Sequence, residues 1–204
     1  MSNKNIPMKP ILFNTEMVRA ILDGYKTQTR RIVNNDWIQS AKLPIATDEN
    51  KKIWHFWNSG EHPAKYQIDD VLYVRETFGK FTHTRFGGTH TKIIYKADRD
   101  LEYRGINPSN SGEFFHGWKP SIHMTKEYAR IFLKVIDVRV ERLQDINCYE
   151  IEKEGFKDLF QNTQMCVGKA EDWWINLWNS TSKDEYKWED NPYVFVYELQ
   201  RIKL

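Results

Sequence analysis

The sequence predicts an α+β fold: a small β-barrel flanked by short helices and carrying two long insertions. Three observations predict it. Strand-like segments outnumber helical ones, one of them (residues 130–143) is long and strongly patterned, and there is no internal repeat or alternating strand–helix–strand order. The 204-residue length suits one domain, residues 8–204 after a tail at 1–7, better than two full ones.

Residues 15–23 read as a helix: Asn14 or Thr15 caps it, Met17, Val18, Ile21 and Leu22 share a face, and Gly24 supplies a left-handed stop. Residues 26–33 look extended, because their threonines, Ile32 and Val33 favour strand. Residues 34–65 lose periodicity and mix Asn, Pro, Lys and Gly with Trp37, Trp54 and Trp57. They form the first insertion, a long loop or loose hairpin over the core. A turn at Asp69 and Asp70 leads into a mostly buried strand through Val71, Leu72, Tyr73 and Val74, ending at Arg75 and Glu76, and a further strand follows at 91–96. The second insertion, residues 98–126, is rich in Gly, Asn, Ser, Pro and aromatic residues, which suits an ordered excursion better than a linker. In the long strand Ile131, Leu133 and Val135 alternate, and after a local shift Val138, Val140 and Arg142 continue the pattern. Asp145 or Asn147 caps a short helix at 149–153 that Gly155 stops. A longer helix at 170–179 gathers Trp173, Trp174, Leu177 and Trp178 as core, and Pro192 opens a closing strand at 193–202.

Lys and Arg number 30 against 28 Asp and Glu, a net charge of +2, and hydrophobic residues make up 40%. That balance excludes a disordered chain and a polycation that binds nucleic acid by bulk charge, but leaves a local basic groove open. Aromatic residues reach 14%, and they serve equally as core or as a stacking surface for bases. With no membrane-length apolar run and no signal-peptide stretch, a cytoplasmic protein with no membrane partner is expected. Cys148 and Cys166 have no C-x-x-C spacing and the histidines no zinc pattern, so neither a disulfide nor a metal is expected.

The segment Gly24-Tyr25-Lys26-Thr27-Gln28-Thr29-Arg30-Arg31 places an amine, two hydroxyls and two guanidinium groups directly after a helix stop. It reads either as an exposed strand start with solvated charges, or as a pocket. In a pocket a desolvated Lys26 takes a proton from a hydroxyl while Arg30 and Arg31 bind phosphate or a base edge. The pattern G-x-K-x-x-T-x-R after a short amphipathic helix resembles the signature of the ASCH domain, a branch of the PUA-like superfamily; Gly24, Lys26, Thr29 and Arg31 match it. The resemblance extends to residues 70–76 as the family's second strand and to the strand at 130–143 leading into the helix end at 150–155. Bacteriophage-encoded ASCH proteins are especially similar, through residues 8–13, 118–124 and 191–196.

One bacterial branch of that family is N4-acetylcytidine amidohydrolase, which removes the acetyl group from the exocyclic nitrogen of cytidine. The resemblance implies a PUA-like barrel and a catalytic set of Lys26, Thr29 and Glu154, with Glu150 and Glu152 close in sequence to the last. It implies that neutral Lys26 deprotonates Thr29, which attacks the acetyl carbonyl, that Glu154 protonates the leaving nitrogen, and that Arg31 or backbone amides hold the oxyanion. No cofactor is called for, and the implied ligand is a nucleoside or RNA. Lys26 and Thr29 have opposite parity in a regular strand, so the route requires a turn or bulge between them. The chain is about twice the length expected of that hydrolase, the excess lying in the two insertions.

Two further groups complete the expected site. The insertion aromatics Trp37, Trp54, Trp57, Tyr103, Phe114, Phe115 and Trp118 are either lids on the barrel or stacking surfaces, with Trp118, beside Lys119 and His123, the residue expected to meet a base. Arg75 and Glu76 read either as a salt bridge at the barrel rim or as a pair in which Glu76 accepts from a base amino group and Arg75 meets phosphate. Amide hydrolysis on acylated cytidine competes with two other readings: a non-catalytic RNA or modified-nucleotide binding protein of phage origin, which would act in the host cytoplasm, and a ribonuclease.

Overall fold

The computed structural model describes residues 7–33, 64–85, 88–98, 113–157 and 166–204. Most of the first insertion, residues 99–112 of the second, and with them Trp37, Trp54, Trp57 and Tyr103, lie outside the described residues. The described chain is a mixed α+β structure dominated by strands, with three α-helices. No closed barrel forms among the described residues; β1 (Met8–Leu12) and β2 (Gln28–Ile32) each pair on one side only. No helix among the described residues is long and apolar enough to cross a membrane.

Contacts divide the chain into two compact units. The first holds residues 1–22, 71–133 and 201–204. In it β1 runs parallel to β3 (Val71–Arg75), with Met8 opposite Val71 and Leu12 opposite Arg75. Pro10, which cannot donate to a ladder, is tolerated because β1 is an edge strand. Helix α1 (Thr15–Leu22) starts where the Met17 N–H donates to Asn14 Oδ1 at 2.8 Å, and its Val18 and Ile21 are buried.

A separate antiparallel sheet of β4 (Phe78–Arg85), β5 (Gly88–Tyr95) and β6 (Glu113–Lys119) has β4 in the centre. The register shifts between Gly79 and Phe81 where β6 carries Gly117 at φ 80°, a bulge that requires a left-handed residue.

The second unit holds residues 23–70 and 134–200. Strand β8 (Tyr193–Ile202) lies between β7 (Phe132–Arg142) and antiparallel β2, with Thr29 opposite Tyr197 and Arg31 opposite Phe195. As a central strand β8 is buried on both faces, so Val194, Phe195, Val196 and Tyr197 are all inaccessible. Asn147 caps α2 (Cys148–Lys153) in a capping box with Glu150, and Gly155 ends that turn at φ 112°. Helix α3 (Cys166–Thr181) lays Ala170, Trp174 and Trp178 against Leu143, Ile151, Val194 and Val196, so its tryptophans belong to the core.

Candidate active site

Gly24, at φ 84°, turns the chain out of α1 and delivers residues 25–27 as a short non-strand segment before β2 begins at Gln28. Two backbone bonds fix that segment: Thr27 N–H to the Lys153 carbonyl at 2.9 Å and Leu199 N–H to the Thr27 carbonyl at 2.8 Å. Lys26 therefore stands ahead of the regular strand, and strand parity does not govern where its side chain goes.

The Lys26 ammonium is buried and donates to Glu154 Oε2 at 2.7 Å and to the Glu154 carbonyl at 2.9 Å. Glu154 is at the C-cap of α2, where the capped helix end brings its carboxylate inward. Of the three glutamates close in sequence, Glu154 is the one that meets Lys26; Glu152 is exposed, and Glu150 is engaged elsewhere. Burial pushes the Lys26 amine below its ordinary 10.5, against the pull of Glu154, and the positive charges of Arg31 and Arg30 push the same way.

Arg30 is fully buried. Its Nη1 donates to Glu154 Oε1 at 3.0 Å and Gln28 Oε1 at 3.2 Å, and its Nη2 to Glu150 Oε2 at 3.2 Å and Glu141 Oε2 at 3.3 Å. Both carboxylate oxygens of Glu154 are thus held, one by an amine and one by a guanidinium. Arg139 extends the cluster to Glu141 at 2.5 Å, Glu150 at 2.8 Å and Glu198 at 3.1 Å. Such buried charges persist only when paired in this way.

Thr29 and Arg31 occupy alternate positions of β2, hence one face, and Arg31 Nη1 donates to Thr29 Oγ1 at 2.9 Å and to the Arg30 carbonyl at 2.9 Å. Thr29 is buried and Arg31 partly so. Burial lowers the proton affinity of Arg31, offset by Glu154, Tyr66 and Tyr197, so the guanidinium lies within electrostatic reach of all three. The same face carries Tyr197, opposite Thr29, with the Tyr66 ring edge-on to it at 5.3 Å.

The other expected residues, Arg75, Glu76, Trp118, Lys119 and His123, belong to the first unit. Glu76 is buried and accepts two bonds from Arg130, Oε1 from Nε at 2.9 Å and Oε2 from Nη2 at 3.0 Å. Arg130 also pairs with Asp98 at 2.5 Å and stacks on Tyr95 at 3.9 Å. Burial raises the Glu76 carboxyl above its ordinary 4.5, partly countered by Arg130. Arg75 donates through Nη2 to the Ile122 carbonyl. Trp118 sits edge-on to Phe115 at 5.1 Å and is 38% exposed; Lys119 and His123 are exposed.

Sequence reasoning overlooked Gln28, Arg139, Glu141, Glu198 and Tyr197, and gave Glu150 only as a neighbour of Glu154. A signal for two of them existed. Arg139 and Glu141 continue the odd-numbered face of β7 that Leu133 and Val135 begin, and all four are buried.

No family model and no solved structure matches the chain. Over 86 residues it is 28% identical to a protein described as nonribosomal peptide synthetase opaA, from Aspergillus ustus, a similarity covering 36% of this chain. The chain spans 2% of the length of that relative, an overlap that establishes no family.

Proposed function

We propose that the chain is an ASCH-type, PUA-like amide hydrolase that acts on an N4-acylated cytidine, as a nucleoside or within RNA, and releases the carboxylic acid. The observation that carries this reading is the buried contact of Lys26 with Glu154, 2.7 Å across 128 residues of sequence. It joins the two segments from which the resemblance draws its base and its acid.

The chemistry follows from one proton. Moving it from Lys26 Nζ to Glu154 Oε2 leaves an amine base and a carboxylic acid side by side, and burial of Lys26 lowers the cost of that transfer. Lys26 then takes the Thr29 Oγ1 proton, and the threonine oxygen bonds to the acyl carbon. The tetrahedral intermediate collapses with cleavage of the C–N bond, and Glu154 returns a proton to the cytidine N4 as it leaves. Water attacks the threonyl ester and frees the acid and Thr29. Arg31, already within 2.9 Å of Thr29 Oγ1, supplies positive charge beside the developing oxyanion.

The test is acetate release from N4-acetylcytidine by purified protein, with Lys26→Ala and Thr29→Val as controls whose circular dichroism matches wild type. Wild type is expected to turn over, and each variant to lose about 10²–10⁴-fold in kcat. A wild type that releases no acetate at high enzyme concentration overturns the reading. Labelled RNA cut by the same metal-free preparation would favour a ribonuclease instead.

A further inference from the structure

Buried polar atoms are nearly always paired, and an unpaired one costs about 1–3 kcal/mol, so each exception asks for a reason. Among the described residues the Tyr197 hydroxyl is such an exception: the side chain is fully inaccessible and its O–H finds no acceptor. The other atoms in this position are Nε of Arg30 and Arg75, Trp174 Nε1 and Ser182 Oγ. The two arginines satisfy other guanidinium nitrogens, and Trp174 faces the helical core. Tyr197 alone lies on β8 directly opposite the expected nucleophile, Thr29. Residues directly opposite in an antiparallel pair project from the same face.

The surroundings also fix the direction in which this hydroxyl is useful. The backbone N–H groups of Lys65 and Tyr66 act on the phenol oxygen as donors, so they offer its proton no acceptor. Burial pushes the phenol up to about 12, so at neutral pH the proton stays on and the group can only donate or accept as a neutral hydroxyl. Arg31 is within electrostatic reach of this phenol and bonded to Thr29.

We infer that Tyr197 is a further catalytic residue whose phenol O–H donates to the acyl carbonyl oxygen of the substrate and to the oxyanion formed there. This rests on the amide-hydrolase reading above. As the Thr29 Oγ1–carbon bond forms, the carbonyl π pair moves onto oxygen. Tyr197 keeps its proton and shortens its hydrogen bond to that oxygen, while Arg31 supplies charge. The resting protein bears the cost of an unpaired donor, and the substrate carbonyl relieves it.

Tyr197→Phe removes only the hydroxyl. Expected results are a kcat for N4-acetylcytidine lowered by about 10²–10³-fold with KM changed less than about threefold, and a melting temperature equal to or above that of wild type. A kcat within about twofold of wild type, or a lower melting temperature, overturns the inference while acetate release by wild type leaves the hydrolase reading standing. If wild type releases no acetate, equilibrium binding decides. The variant should then bind N4-acetylcytidine at least about fivefold more weakly, with cytidine affinity unchanged; equal affinity for N4-acetylcytidine, or no binding by wild type, overturns it.

Discussion

Arg30 donates to four side chains and has no access to solvent. Its role follows from its partners. By holding Glu154 Oε1 it leaves Oε2 for Lys26, and with Arg139 it shares Glu150 and Glu141, each arginine binding one oxygen of each carboxylate. Removing one member of a buried ion cluster strands the others, at a cost of about 3–5 kcal/mol. Arg30→Met is therefore expected to lower unfolding stability by that amount in urea denaturation, and Arg30→Lys by less, because one ammonium replaces only part of the fork. A loss below about 1 kcal/mol for Arg30→Met would show that the cluster contributes little. At this scale the sequence was informative about residue type and silent about burial. The charged run after Gly24 was visible, but whether Arg30 or Arg31 turned inward depended on which face of β2 came against Glu150, Glu154 and Trp174. Arg30 turned to the carboxylates, and Arg31 to Thr29.

Among the elements, those with a regular apolar period or a clear cap were legible in the sequence and those without either were not. Helix α1, the long β7, the Asn147-capped α2 and the closing β8 all followed from periodicity and caps. Strand β4 did not. Its sequence, FGKFTHTR, alternates threonine with histidine and has no continuous apolar face, so only its pairing with β5 and β6 makes it a strand. Strand β6 was hidden for the same reason inside a segment read as an excursion, and β1 by Lys9 and Pro10.

Gly79 shows how tightly β4 and β6 pack. A Cβ there would lie 2.5 Å from Phe115 Cε2 and 3.2 Å from the Gly117 carbonyl. Gly79→Ala is expected to displace Phe115 and with it Trp118, edge-on at 5.1 Å. The cost should be about 1–3 kcal/mol by denaturation, with a shift in tryptophan fluorescence. An unchanged midpoint and spectrum would show that the bulge relaxes freely.

For the molecule as a whole, the near balance of 30 cationic and 28 anionic side chains sets how it meets a polyanion. Much of the positive charge near the candidate site is already spent: Lys26, Arg30 and Arg139 face carboxylates in the interior and are not offered to phosphate. Binding of a short N4-acetylcytidine-containing RNA should therefore depend weakly on salt, with a log–log slope shallower than about −2, or no more than about three phosphates contacted. Titrations over a range of salt concentrations measure this, and a slope beyond about −4 would mean a long backbone track in place of a single-base pocket.

By itself the sequence determined the α+β class, the order of the strongly patterned elements and the chemical character of the segment from Gly24 to Arg31, because hydrophobic period, caps and turn residues are local. Only the tertiary structure decided that Glu154 meets Lys26, that Arg30 is interior, and that Tyr197 stands opposite Thr29 with no acceptor for its hydroxyl proton. Those outcomes depend on strand register and on contacts between residues more than a hundred positions apart. No local pattern encodes them, because burial turns the same charged side chain from a solvated ornament into a paired group.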